Sequence, residues 1–281
     1  MTRAFRFGIN MMSAGDRSEW TAKCQRAEAF GYDVLLVPDH LGMPAPFPAL
    51  TLAAEVTERV QLGTFVLNCG FFNPVLLARD AFAVREFSGG RLELGLGAGY
   101  VRAEFEQAGL QFPTARERVD HLERTVDKLI ELAEKPLPLL IGGNGDRVLR
   151  LAATKADIVA FAGLKSVPGD PPLAFIDNEE LDERVAYVRA AADGRDYESN
   201  LLIQAVMITS DRRGAAEAAR EQDKLTLSAE ELLEMPALLV GEPKEIADQL
   251  RAHRERFGFS YITVLEPAMA DFAPVIELLK E

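Results

Sequence analysis

Short apolar runs alternate with amphipathic stretches from the start of the chain. Residues 5–10 (FRFGIN) form an apolar run closed by turn residues, and 18–30 place apolar positions at helical spacing. Ser18 stands where an N-cap is needed and Gly31 where a helix stops. The alternation then repeats. Strands are predicted at 33–38 (DVLLVP), 60–67 (VQLGTFVL), 91–96, 137–141, 158–162, 201–209 and 261–265. Helices are predicted at 48–56, from Pro74 behind an Asn73 cap to about Phe87, and at 118–134, 147–154 and 179–192. Further helices follow from Arg213, near 229–234, over 243–257 and over 272–280.

Continuous apolar strands are what a parallel sheet covered on both faces requires, since a half-solvated antiparallel sheet would alternate. Eight such strands with intervening helices predict a closed (β/α)8 barrel rather than an open doubly wound sheet, which usually has about five to seven strands. No composition shift marks a domain boundary, so a single domain over 1–281 is expected. Two Pro- and Gly-bearing stretches, 42–48 and 167–178, are candidate lids; Pro168, Pro171 and Pro172 exclude regular structure from the second.

The chain has 281 residues, 48% hydrophobic and 27% charged, enough apolar material for one large core. Its net charge of -13 opposes phosphate backbones and anionic lipid surfaces, which counts against nucleic-acid and membrane partners. No apolar run approaches the roughly 20 residues of a membrane span, and no signal-peptide pattern opens the chain, so a cytoplasmic location is expected. The two cysteines, Cys24 and Cys69, lack any metal or redox spacing and are read as buried free thiols.

In a (β/α)8 barrel the chemistry gathers just after each strand. There the chain places Asp39 and His40, then Asn68 to Asn73, then Gly97 to Tyr100, then Gly142 to Gly145, then Ala162 to Lys165. Glycines between strand and helix let backbone N–H groups approach a phosphate, although they also serve plain βα turns. The first glycine loop is no dinucleotide fingerprint, since Arg102 stands where the third glycine would fall. His40 is the one histidine at a strand end; held by adjacent Asp39, it is a candidate general acid or ring donor, with a structural Asp–His pair as the alternative. His121 and His253 fall among charged neighbours on helices and are expected in solvent. No H-x-H or H-E-x-x-H spacing supports a metal. Phe71 and Phe72 near the mouth suit a flat ring or apolar substrate, or else core packing under a loop.

The segments VPDH (37–40), RVQLGTFVLN (59–68), FSGGRLELGLGAGY (87–100), LIGGNG (140–145) and ADIVAF (156–161) together resemble the luciferase-like monooxygenase superfamily, in particular its deazaflavin-dependent branch. The resemblance spans about the first 165 residues. It implies a bacterial-luciferase-like barrel that binds 8-hydroxy-5-deazaflavin (coenzyme F-420), with FMN as the alternative. On that basis Asp39 and His40 contact the ring, and Phe65 and Val66 occupy a bulged third strand where the family often has a non-prolyl cis peptide. Ala98, Gly99, Gly142 and Gly143 take the phosphate, and Asn68, Gly97, Tyr100, Asn144 and Gly145 complete the cofactor set. His40 and Glu104 are the candidate catalytic pair, and Lys165, with Phe71 and Phe72, the candidate substrate contacts. Lys165 resembles a lysine that holds substrate phosphate in a sugar-phosphate dehydrogenase branch. Two departures count against that chemistry: Tyr100 replaces an acidic residue after the second glycine, and Pro44 a tryptophan. The implied function is hydride transfer between the cofactor ring and a small organic substrate, with pairing into a homodimer. An FMN monooxygenase, a non-catalytic flavin-binding protein and a cofactor-free aldolase or isomerase are the competing readings.

Overall fold

The computed structural model describes residues 3–167, 173–222 and 225–280. Eight parallel strands close into a barrel: Arg6–Asn10, Val34–Val37, Gln61–Thr64, Leu92–Gly97, Leu139–Gly142, Ile158–Phe161, Glu198–Leu202 and Phe259–Leu265. The first strand pairs with the second and the eighth, and the ring is completed by Leu62 and Gly63 against Leu92 and Glu93. Helices fill the connections. The predicted (β/α)8 architecture is therefore the observed one.

Alternation along each strand divides the apolar residues into two layers. Phe7, Ile9, Leu35, Val37, Val159 and Ile262 face outward into the large core beneath the helices. Val34, Leu36, Leu140, Ile158, Ala160 and Tyr261 fill the barrel interior, with Phe65 and Val66 packed on them from the mouth side. Burying each large apolar side chain contributes about 1.5–3 kcal/mol, which is why both faces of the sheet must be covered. At the barrel floor the interior turns polar. Arg6 reaches Glu93 at 2.5 Å and Glu198 at 3.2 Å, and the Tyr261 hydroxyl donates to Glu93 at 2.7 Å.

The third strand departs from its predicted course. It is regular over Gln61–Thr64, breaks at Phe65–Val66, whose peptide bond is cis, and resumes as Leu67–Asn68 beside Leu96 and Gly97. Across the break the Thr64 hydroxyl donates to Gly95 O at 2.7 Å and accepts from Gly95 N at 2.9 Å, restoring pairing that the ladder loses. A Cβ on Gly95 would lie 1.9 Å from Thr64 O, so only glycine permits this approach.

Other boundaries shift for local reasons. The first helix, Arg17–Ala29, is capped by Asp16 and not by Ser18: Asp16 accepts from Ser18 N and Glu19 N, and Glu19 reaches back to complete a capping box. The helix predicted from 118 begins at Ala115 behind a Thr114–Glu117 box, and that predicted from 48 begins at Pro46. The predicted Asn73 cap and Pro74 start are observed, with Asn73 Oδ1 accepting from Val75 N at 2.9 Å. The predicted strand over 201–209 is two strands in two sheets. Glu198–Leu202 belongs to the barrel, whereas Ala205–Ile208 pairs in parallel with Leu238–Gly241 in a separate two-stranded sheet. That sheet shares a small core of its own with Ala216, Ala229, Leu232 and Met235. Of the two candidate lids, 42–48 carries a short bridge between Leu41 and Met43 and the start of a helix. The other lies partly outside the described residues, at 168–172; against the expected lack of regular structure, Leu173–Phe175 within it is a strand that pairs antiparallel with Leu164–Ser166.

Candidate functional site at the barrel mouth

The second strand delivers Asp39 and His40 to the mouth, and the loop after the fourth delivers Glu104 on the short helix Arg102–Gln107. These residues, 64 positions apart in sequence, meet: His40 Nδ1 lies 2.8 Å from Glu104 Oε1. The carboxylate can only accept, so Nδ1 carries the proton in this contact and Nε2 is the nitrogen left for other partners. The predicted partner is thereby corrected. Asp39 does not orient the imidazole; its Oδ2 accepts from Asn68 N at 3.0 Å and ties the second strand to the resumed third. Burial, aided by the Glu104 charge, pushes the Asp39 carboxyl above its ordinary range, against the Asn68 N–H and His40. Tyr100 stands edge-on to the His40 ring with centroids 6.3 Å apart, and is itself 63% exposed, so it forms the outer rim.

The two glycine loops enclose the site from the other side. Val66 projects between them: Cβ atoms on Gly97 and Gly142 would lie 2.6 Å and 3.4 Å from its methyls. Gly99 has φ +73, and a Cβ there would fall 2.1 Å from Asn68 Oδ1. The position accepts glycine for both reasons. The helix Asp146–Lys155 begins behind Gly145 with no side-chain cap, and the space beside Gly145 is open. Its first N–H groups therefore lack the partner that capping gives other helices of this chain. Two buried amide oxygens at the mouth, Asn10 Oδ1 and Asn144 Oδ1, have no hydrogen-bond partner, while Asn144 Nδ2 donates to Leu164 O. Backbone donors around small residues, with unpaired acceptors beside them, fit a phosphorylated, hydroxyl-bearing ligand with a flat ring.

Other expectations change. Phe71 packs on buried Phe105 at 5.1 Å and Phe72 on Phe47 at 6.3 Å, so the two rings brace the loop as core residues do. Lys165 is ion-paired with Glu180. His121 is not in solvent; its Nε2 donates to Cys69 O at 3.0 Å and Phe72 O at 3.1 Å, pinning the turn after the third strand. His253 is buried, and burial pulls its pKa down to about 4. Both cysteines are buried free thiols, pushed up to about 12 by burial.

Arg118 was not singled out from sequence, yet its Nε donates to Gly99 O at 2.8 Å while its guanidinium lies over the Phe112 ring. Glu266, after the eighth strand, accepts from Met12 N, Ser13 N and Lys23, tying the first loop to the last. In the sequence Glu266 is legible as a residue following a strand end, and Arg118 only as the start of a predicted helix. Among the described residues, no group of three or more His, Cys, Asp or Glu is placed to hold a metal, and no helix is long and apolar enough to cross a membrane.

The family described as luciferase-like monooxygenase matches residues 4–222. A 5,10-methylenetetrahydromethanopterin reductase of Archaeoglobus fulgidus is 28% identical over 234 residues, covering 76% of this chain and 68% of that protein. An F420-dependent glucose-6-phosphate dehydrogenase of Kribbella flavida is 27% identical over an alignment of 293 residues, 86% of each chain. Among solved structures, an F420-dependent secondary alcohol dehydrogenase in complex with an F420-acetone adduct superposes with a TM-score of 0.79 at 15% identity, covering 99% of this chain and 100% of its own. A long-chain alkane monooxygenase gives 0.75 at 15% identity, with 100% and 92% covered. Such identities carry the fold alone; the match of the family over most of the chain carries more, and by it this protein belongs to the luciferase-like monooxygenase family.

Proposed function

We propose that this protein is a deazaflavin-dependent oxidoreductase that moves a hydride between coenzyme F420 and a small organic substrate. The observation that carries the reading is the His40–Glu104 pair beside the two glycine loops. F420-dependent relatives support the choice of cofactor. When bound, the deazaflavin supplies a ring carbon that gives or takes the hydride. Ala98, Gly99, Gly142 and Gly145 would hold its phosphate through backbone N–H groups, which suits a chain of net charge -13, whereas Gly143 N already donates to Ala160 O at 3.4 Å. Phe65 and Val66 would back the ring, and Asn10 and Asn144 offer acceptors to hydroxyls.

His40 would exchange a proton with the substrate oxygen through Nε2 as the hydride moves, since a carbonyl that receives hydride must also receive a proton. Glu104 fixes the tautomer and offsets the charge when the imidazole is doubly protonated. An FMN-dependent monooxygenase is the second reading, supported by the description of the family itself. Titration with F420 and with FMN, followed by absorbance and fluorescence, separates the two. Saturable binding of F420 is expected; binding of FMN alone selects the second reading, and binding of neither removes both.

A further inference from the structure

Two bulky apolar side chains stand in the open beside His40, and the backbone holds each of them there. Leu41 follows the histidine in a tight turn, closed by Met43 N donating to His40 O at 3.0 Å and by Gly42 at φ +96. It is 40% exposed. Tyr100 comes from the loop after the fourth strand, its ring edge-on to that of His40. On one side of it Arg118 Nε donates to Gly99 O at 2.8 Å; on the other Glu104 N donates to Val101 O at 3.2 Å as the helix Arg102–Gln107 begins. The ring is thus presented by a fixed stem, with most of the residue still exposed.

The chain around these two residues is apolar. Over 41–50 (LGMPAPFPAL) and 94–101 (LGLGAGYV) no side chain carries a charge, and the Tyr100 hydroxyl is the one polar side-chain group. Phe65 and Val66, partly buried, lie on the strand between the two segments. His40 Nδ1 is engaged by Glu104, so a group that exchanges a proton with Nε2 has Leu41 and Tyr100 as near neighbours. A hydrocarbon group there removes wet apolar surface, which stabilises a complex in proportion to the area covered. The Tyr100 phenol stays neutral, because burial and the Glu104 charge raise it above its ordinary range.

We infer that the Tyr100 ring, with Leu41, receives the hydrocarbon part of the substrate and so determines specificity. The substrate class is an alcohol or carbonyl compound that carries a ring or branched alkyl group at the reacting carbon. This rests on the oxidoreductase reading above. Tyr100, grouped with the cofactor contacts on the resemblance, is thereby assigned to the substrate. Its rigid stem matters, since a ring already in place loses little freedom when it is covered.

The test reads binding and needs no turnover. Fluorescence of F420 on the loaded protein is titrated with propan-2-ol and with cyclohexanol, which share a secondary hydroxyl and differ in hydrocarbon. The parent chain should bind cyclohexanol about tenfold more tightly. Tyr100→Ala should bring that ratio down to about twofold, whereas Tyr100→Phe should keep it. Neither substitution should move the melting temperature by more than about 2 °C, because the ring is largely outside the core. A ratio near one in the parent, or one that Tyr100→Ala leaves unchanged, overturns the inference while the oxidoreductase reading stands. Where FMN alone binds, the same ratio on FMN-loaded protein decides; binding of neither cofactor removes both.

Discussion

His40 and Glu104 show how little of a site one residue defines. The imidazole becomes useful once a carboxylate fixes which nitrogen carries the proton, and that carboxylate comes from another strand's loop. His40→Gln is expected to leave the melting temperature within about 2 °C and to slow hydride transfer by roughly 10²–10⁴-fold. Glu104→Gln should slow it less and add nothing in the His40→Gln background, because both act through one proton. Stopped-flow absorbance of the deazaflavin reads both; additive losses would separate the pair. His253 tests burial instead of catalysis. Its folded pKa is lowered from 6.5 to about 4, so below about pH 6.5 the unfolded chain takes up a proton that the folded site refuses. Stability from this site is complete above pH 6.5 and lost as pH falls toward 4, by up to roughly 3 kcal/mol. Urea titrations at pH 7 and 5 should show a smaller fall for His253→Leu than for the parent chain; an equal fall would refute the assignment.

At the scale of elements, the loop after the fourth strand does most of the positioning. It brings Gly97 against Val66, Gly99 against Asn68, and Glu104 to His40, and Arg118 clamps it through Gly99 O. Gly99→Ala therefore combines a left-handed backbone with a contact of 2.1 Å to Asn68 Oδ1. A stability loss of about 1–3 kcal/mol and F420 affinity weakened by about tenfold or more are expected, read by thermal melts and fluorescence titration. Gly89→Ala is the control, since φ is +67 there and nothing lies within 4 Å of the added Cβ. It should lose stability without losing F420 affinity; equal affinity losses would remove the special role of the 97–99 loop. The glycines of this loop stand in the sequence, whereas the residues they touch do not follow from it. Val66 and Asn68 lie on the third strand, and only the break in that strand aims them at the fourth.

For the whole molecule, the barrel floor links distant strands through one charge network. Arg6 of the first strand meets Glu93 of the fourth and Glu198 of the seventh, under the Tyr261 ring of the eighth. Burial raises Glu198 against the pull of Arg6, so the network sits near the limit of what pairing offsets. Arg6→Met leaves two buried carboxylates unpaired and should cost about 3–5 kcal/mol, measured by urea unfolding, with Glu93→Gln and Glu198→Gln recovering part of it. A loss below about 1 kcal/mol would show the floor to be solvated. Periodicity, turn residues and caps were enough to determine the alternation of strands and helices, and with it the barrel and the end of it where the candidate site lies, because these depend on neighbours within a few residues. Partnership was decided by tertiary structure alone. That His40 pairs with Glu104 and not with adjacent Asp39, that Lys165 is spent on Glu180, that His253 lies in the core and that residues 201–209 divide between two sheets all depend on side chains brought together from far along the chain. Closure of the ring sets those distances, and no local pattern encodes them.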